Sequence, residues 1–165
     1  MPRVSNKENK NIYMLCREAA GLSREKAAEL LGYISKDRIY RIENDAVPDP
    51  EEVLTMARCY HSPELCNYYC TNECQIGQEY VPEVKIKELS QITLEMLATI
   101  NSLNRDKERL IEITVDGTIT EDEIHDFLMI QESPEKMSMA ISALRLWVEQ
   151  KIAEGKIDKS LLPDD

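Results

Sequence analysis

Gly21-Leu22-Ser23-Arg24-Glu25-Lys26-Ala27-Ala28-Glu29-Leu30-Leu31-Gly32, followed by Ser35-Lys36-Asp37-Arg38-Ile39-Tyr40-Arg41-Ile42-Glu43-Asn44, is the stretch that decides the fold. It reads as two short helices joined by a tight turn. Ser23 and Ser35 are N-cap residues, Gly21 suits the left-handed position that ends a preceding helix, and Gly32 stops the second. At 100° per residue, Ile39 and Ile42 fall on one side of the later helix, and Lys36, Asp37, Tyr40, Arg41 and Asn44 fall on the other. The small Ala27 and Ala28 let the two helices cross closely.

A helix with a docked apolar side and a polar, partly basic outer side suits the major groove of duplex DNA. Arginine and lysine donate to guanine O6 and N7, and aspartate accepts from cytosine N4. Tyr40 can pack on a thymine methyl or bond a phosphate. Arg24 sits near a positive helix start, where it can help hold a phosphate. Arg24, Ser35, Lys36, Asp37, Arg38, Tyr40, Arg41 and Asn44 form the expected DNA-binding set.

Outward from this core, helix one is expected over 9–20, with Ile12, Leu15, Ala19 and then Leu22 as its apolar set and Cys16 in the core. Val47-Pro48-Asp49-Pro50-Glu51-Glu52 is a helix start, with a capping aspartate, proline at the first helical position and glutamates at the positive end. Ser62-Pro63-Glu64 repeats that logic for a short fifth helix. Residues 71–82 read as a linker broken by Gly77 and Pro82.

Residues 9–60 resemble the Xre/Cro-repressor type of helix-turn-helix domain, a five-helix, lambda-repressor-like bundle. Arg17, Gly21, Leu22, Ser23, Ala28, Gly32, Ile39, Ile42, Glu43, Asn44, Pro48 and Ala57 carry the resemblance. It implies base reading by Lys36, Asp37 and Arg41, and a structural pair between Arg17 and Glu43. The chain departs from that pattern in a turn one residue longer, in Asp45 where glycine is usual, and in Asp37 where an amide is frequent.

The remaining sequence predicts a helical hairpin over 84–155. Its first helix, from Val84 to Thr114, has a stripe of Ile86, Leu89, Met96, Ile100, Leu103 and Leu110, interrupted by Thr93 and Lys107. Its second, broken or kinked at Ser133-Pro134, has a stripe of Met137, Ile141, Leu144, Val148 and Ile152, and Gly155 ends it. The turn between them imitates half of a calcium loop but lacks the first ligands, so a corner capped by Thr120 with Glu123 fits better. The expected organisation is all-α: an arm over 1–8, the helix-turn-helix domain over 9–62, a short cysteine-containing helix and linker over 63–82, the hairpin over 84–155, and an acidic tail over 156–165.

Charge divides along the same line. Residues 1–45 hold nine Lys/Arg against seven Asp/Glu, while residues 46–165 hold eleven against twenty-four. The head can approach phosphate and the rest repels it. Each hairpin helix buries only one stripe, so a homodimer or another protein partner at the acidic hairpin is expected.

Five cysteines are present. On a continuous helix Cys66, Cys70 and Cys74 would lie within about 80° of one another, with Cys59 or His61 near enough in sequence to complete a set. Zinc or an iron–sulfur cluster, a redox sensor, and a buried apolar stripe are the alternatives; otherwise no cofactor is expected. His61 and His125 lie far apart without a nucleophile motif, so no enzyme is read. With no signal segment and no long apolar run, a cytoplasmic DNA-binding regulator is the expectation, with a protein-interaction adaptor or antitoxin-like protein, or a metal- or redox-responsive regulator, as alternatives.

Overall fold

A computed structural model describes residues 10–115, 117–158 and 160. The expected arm over 1–8, Asp116 of the hairpin turn and the end of the acidic tail lie outside these residues. Among the described residues the chain is all-helical, with eight helices. They are α1 (Ile12–Ala19), α2 (Arg24–Leu31), α3 (Lys36–Ile42), α4 (Pro50–Cys59), α5 (Glu64–Asn72), α6 (Gln75–Tyr80), α7 (Leu89–Thr114) and α8 (Ile124–Ala153). They form two compact units, one of residues up to 83 together with those from 148 on, the other of residues 84–147.

Local chemistry sets the ends of the first helices. Asn11 accepts the Met14 N–H and caps α1, so that helix begins later than the sequence suggests. Its side-chain amide also donates to the Ile42 carbonyl at 2.6 Å, tying the start of α1 to the end of α3. Gly21 closes α1 at φ +71, with Leu22 N–H on the Arg17 carbonyl and Gly21 N–H on that of Glu18. These are the paired bonds of a left-handed helix stop. Ser23 and Ser35 accept the Lys26 and Arg38 N–H groups, at 3.1 and 3.2 Å. Asp49 and Glu52 cap α4 reciprocally.

The first unit closes around Tyr13, Cys16, Ala27, Leu31, Ile34, Ile39, Ile42, Val53, Met56, Ala57, Tyr60 and Leu65. The apolar stripe expected for α1 is therefore displaced. Leu15 is half exposed, whereas Tyr13, Met14, Cys16 and Arg17 are buried. The buried face includes an arginine because a buried carboxylate faces it, and hydropathy alone does not register that.

The short fifth helix is present as α5, but most of the stretch 71–82, expected to be a linker, is helical: α5 runs to Asn72 and α6 follows from Gln75 to Tyr80. Leu65 of α5 is fully buried in the head's core, and the Tyr68 ring meets Tyr13 edge-on at 6.0 Å. Gly77, read as a breaker, sits inside α6 and is buried. A Cβ there would lie 2.1 Å from the Cys70 carbonyl oxygen, so glycine is what lets α6 rest against α5.

In the second unit α7 begins at Leu89 and α8 runs without a break through Pro134. Ser133 Oγ bonds Ser102 Oγ at 3.1 Å, and Arg109 Nε bonds Asp126 Oδ2 at 2.8 Å. Seven residues forward on α7 match seven residues back on α8, so the two are antiparallel in a heptad register. The covered seam of α7 is Ile92, Met96, Thr99, Leu103, Asp106, Leu110 and Ile113, all buried or half-buried, and Ile130, Ser133, Met137 and Ala140 supply that of α8. Leu89, Ile100 and Ile141, assigned to the stripes from sequence, are exposed. Polar Thr99 and Asp106 occupy seam positions, which hid the true register. Glu123 accepts from Thr120 N and Oγ1 before α8, and Gly155 at φ +70 ends it, with Lys156 N–H on the Lys151 carbonyl.

Gly77→Ala is expected to lose about 1–3 kcal/mol of stability, the usual cost of overpacking. Urea denaturation followed by circular dichroism measures it.

Candidate nucleic-acid interface

The candidate interface is the outer face of α3 with the start of α2. Ile39 and Ile42 are almost fully buried, which fixes the rotation of α3. Ser35, Lys36, Asp37, Tyr40, Arg41 and Asn44 are consequently exposed. The turn before α3 carries Ile34 inward, at 1% exposure, and Tyr33 outward.

Beneath this face lies an ionic cluster. Arg17 Nε bonds Glu43 Oε1 at 2.5 Å and its Nη2 bonds Oε2 at 3.2 Å, both residues being buried. Arg17 Nη1 also donates to the Leu22 carbonyl. Arg24 Nε bonds the same carboxylate through Oε2 at 2.6 Å, and its guanidinium lies 5.2 Å from the centre of the Tyr40 ring. The structure thus brings Arg17 and Glu43 together and gives Arg24 two partners inside the chain. Tyr40 stacks on a cation already held in place.

Arg38 turns away from the exposed outer face of α3. Its Nε and Nη2 reach the two Glu52 oxygens at 2.8 and 2.7 Å, and Nη2 also donates to the Val47 carbonyl. The Glu52 carboxyl is held below its usual pKa, chiefly by the Arg38 hydrogen bond. Lys36 pairs with Glu25 at 2.5 Å across the open surface, and this contact pulls the Glu25 carboxyl down to about 2. Exposed pairs of this kind exchange readily. The Arg41 side chain makes no hydrogen bond or ion pair among the described residues, and its charge adds a minor lowering at Glu52.

Glu52, read from sequence only as a residue of the helix start, and Asn11 both position α3. The spacing from Asp49 to Glu52 is the signal for the first, being that of a capping box. Nothing local announces Asn11, whose second bond spans 31 positions.

The cysteines do not assemble into one site. Cys66 and Cys70 lie on α5, but that helix ends at Asn72, and Cys74 caps α6 by accepting the Gly77 N–H. The shared face that the spacing suggested needs a continuous helix, which is absent. His61 forms the left-handed stop of α4 at φ 56. Among the described residues no three His, Cys, Asp or Glu side chains are grouped to hold a metal ion. Cys16 is buried against Glu64, and burial pushes its thiol up to about 11. Cys66 lines a cleft of about 670 Å³ within the first unit, together with Leu54, Ala57, Arg58, His61 and the last turns of α8.

The geometry is that of a helix pair presenting its second member outward, and comparison with known families agrees. Residues 15–70 match a family model described as a helix-turn-helix domain, so this part of the chain carries such a domain. It points to DNA binding in general terms. No curated protein and no solved structure matches the chain. No helix among the described residues is long and apolar enough to cross a membrane.

Glu43→Ala is expected to cost about 3–5 kcal/mol, because it strands the buried Arg17. Arg38→Ala should cost less and carry a pH signature. Glu52's folded pKa is lowered, so the pair's stabilisation is present above the ordinary carboxylate range and is lost as pH falls through the lowered value. Stability curves against pH should therefore fall less steeply on the acid side in Arg38→Ala than in the parent protein.

Proposed function

We propose that the protein is a sequence-specific, DNA-binding transcriptional regulator of the Xre/Cro type that works as a dimer. The observation that carries this reading is the isolation of Arg41. It stands on the exposed face of α3 with no ion-pair partner among the described residues, while Arg17, Arg24 and Arg38 are committed to carboxylates. An uncommitted guanidinium at that position suits the paired acceptors of a guanine edge. Lys36 lies five residues earlier, at the start of the same helix, held only by a surface pair that a phosphate or base can displace.

In this reading Arg41 and Lys36 read bases, Asp37 restricts the bases tolerated opposite it, and Tyr40 packs at the groove wall. Arg24 and Arg38 act mainly by holding α3 in place. The mechanism is steric. Two copies set recognition helices in successive major grooves about 34 Å apart, and occupancy blocks or recruits polymerase. Twenty-four acidic residues beyond position 45 discourage any other surface from lying on DNA. No catalytic step and no metal are assigned, and the reading places the protein in the cytoplasm with the DNA it regulates.

Selection of bound sites from random DNA supplies the cognate sequence. On that sequence Arg41→Ala should weaken binding by about 1–3 kcal/mol and relax the preference at one base pair. An equal loss on every sequence would overturn the readout role. Binding of the parent protein should also fall steeply as salt rises.

A further inference from the structure

The side of α7 turned away from α8 carries a second heptad repeat. Leu94, Asn101, Glu108 and Val115 fall seven apart, and Leu97, Asn104 and Ile111 interleave with them in steps of three and four. All are exposed, Leu94 at 68% and Val115 at 79%. At 100° per residue this stripe runs roughly opposite the seam that meets α8. The helix therefore has one covered seam and one bare seam of the same period. Apolar residues repeating at this period are what a second helix packs against.

We propose that the bare seam is where a second copy of the chain docks, with α7 beside α7, parallel and in register. This rests on the dimer reading above and names its surface and direction. Three features select a second copy in that orientation. The first is charge. In a parallel pair, the residue flanking the seam at Lys107 faces the flanking Glu112 of the other copy, and the twofold repeats that attraction. Both residues are exposed, and Glu112's contact is with Arg109 of its own helix at 3.2 Å. In an antiparallel pair Lys107 would lie beside Ile100, with no charge to meet. The second is the amide pair. Asn101 and Asn104 occupy seam positions where, in register, each side chain meets its own symmetry mate. A buried asparagine of this kind fixes register at a cost in stability. The third is the placement of apolar residues. Leu94 and Leu97 at one end, and Ile111 and Val115 at the other, each meet an identical residue, so among parallel pairings the apolar layers all coincide only at zero offset. Glu108 would meet its own copy and oppose association, which keeps the dimer reversible.

Sedimentation equilibrium of the full chain tests this. The parent protein should be a dimer at micromolar concentration, and Leu97→Glu, at an exposed position, should be a monomer with unchanged helix content. Lys107→Glu and Glu112→Lys should each weaken the dimer about three- to tenfold, consistent with exposed ion pairs. The double variant should recover most of that loss, and Glu108→Leu should tighten the dimer. A parent chain monomeric at about 100 μM would overturn the proposal, as would a dimer that Leu97→Glu leaves intact. A double charge swap without recovery would overturn the parallel register. The DNA-binding reading is judged apart from these results, because Arg41→Ala should lose the operator while keeping the parent mass.

Discussion

The fold of the head turns on one carboxylate. Glu43 ends α3, is nearly sealed from solvent, and is shared by Arg17 from α1 and Arg24 from α2. A buried charge is tolerated only when paired and fully hydrogen-bonded. The three helices can therefore come together in few ways that satisfy it. With Glu43 fixed, and with Ile39 and Ile42 inward, the remaining side chains of α3 have no choice but to face out. The same carboxylate steadies Arg24, on which Tyr40 rests. An interaction in the core thus sets the shape of the surface two layers away.

The arginines of this region divide accordingly. Arg17 and Arg38 each spend their planar fork of donors on a glutamate of the same chain, where bidentate geometry gives orientation as well as attraction, and Arg24 adds a single bond from Nε to Glu43. Arg41 does neither. The distinction is invisible in composition, where all four count as one positive charge. It follows from which carboxylates the helix ends bring within reach. The Arg38–Glu52 pair is coupled to the cap of α4, since Glu52 also accepts from the Asp49 N–H at 2.8 Å. Fixing α3 and starting the next helix are one piece of chemistry.

Much of the head was legible because its signals are local. Ser23, Ser35 and Gly21 act within a few residues of themselves, and the outward face of α3 follows from helical period alone. What was hidden depends on distant partners. Tyr13 is buried because α5 comes back over it, and Leu15 is exposed because nothing does. Gly77 was misread because a glycine that breaks a helix and one that permits close approach look alike until the neighbour is known. The hairpin was legible as two helices but not in its register. Met96, Leu103 and Leu110 of the expected stripe do lie on the seam that α8 covers, but polar Thr99 and Asp106 hid its other positions, and the exposed Leu89 and Ile100 stood in their place.

The last turns of α8 cluster with the head rather than with the rest of their own helix, and this changes what the chain's connectivity means. The backbone passes between the two units twice, near residue 83 and again within α8 near residue 148. The hairpin is thus an insertion into the head's unit, not a trailing appendage. Cutting the chain once between α6 and α7 would leave the pieces still joined through a continuous helix. A fragment ending at residue 83 would also lack Glu149, Ile152 and Ala153, which form one wall of the cleft beside α4 and α5. The helix-turn-helix head, in this topology, is completed by residues that are synthesised only after the hairpin.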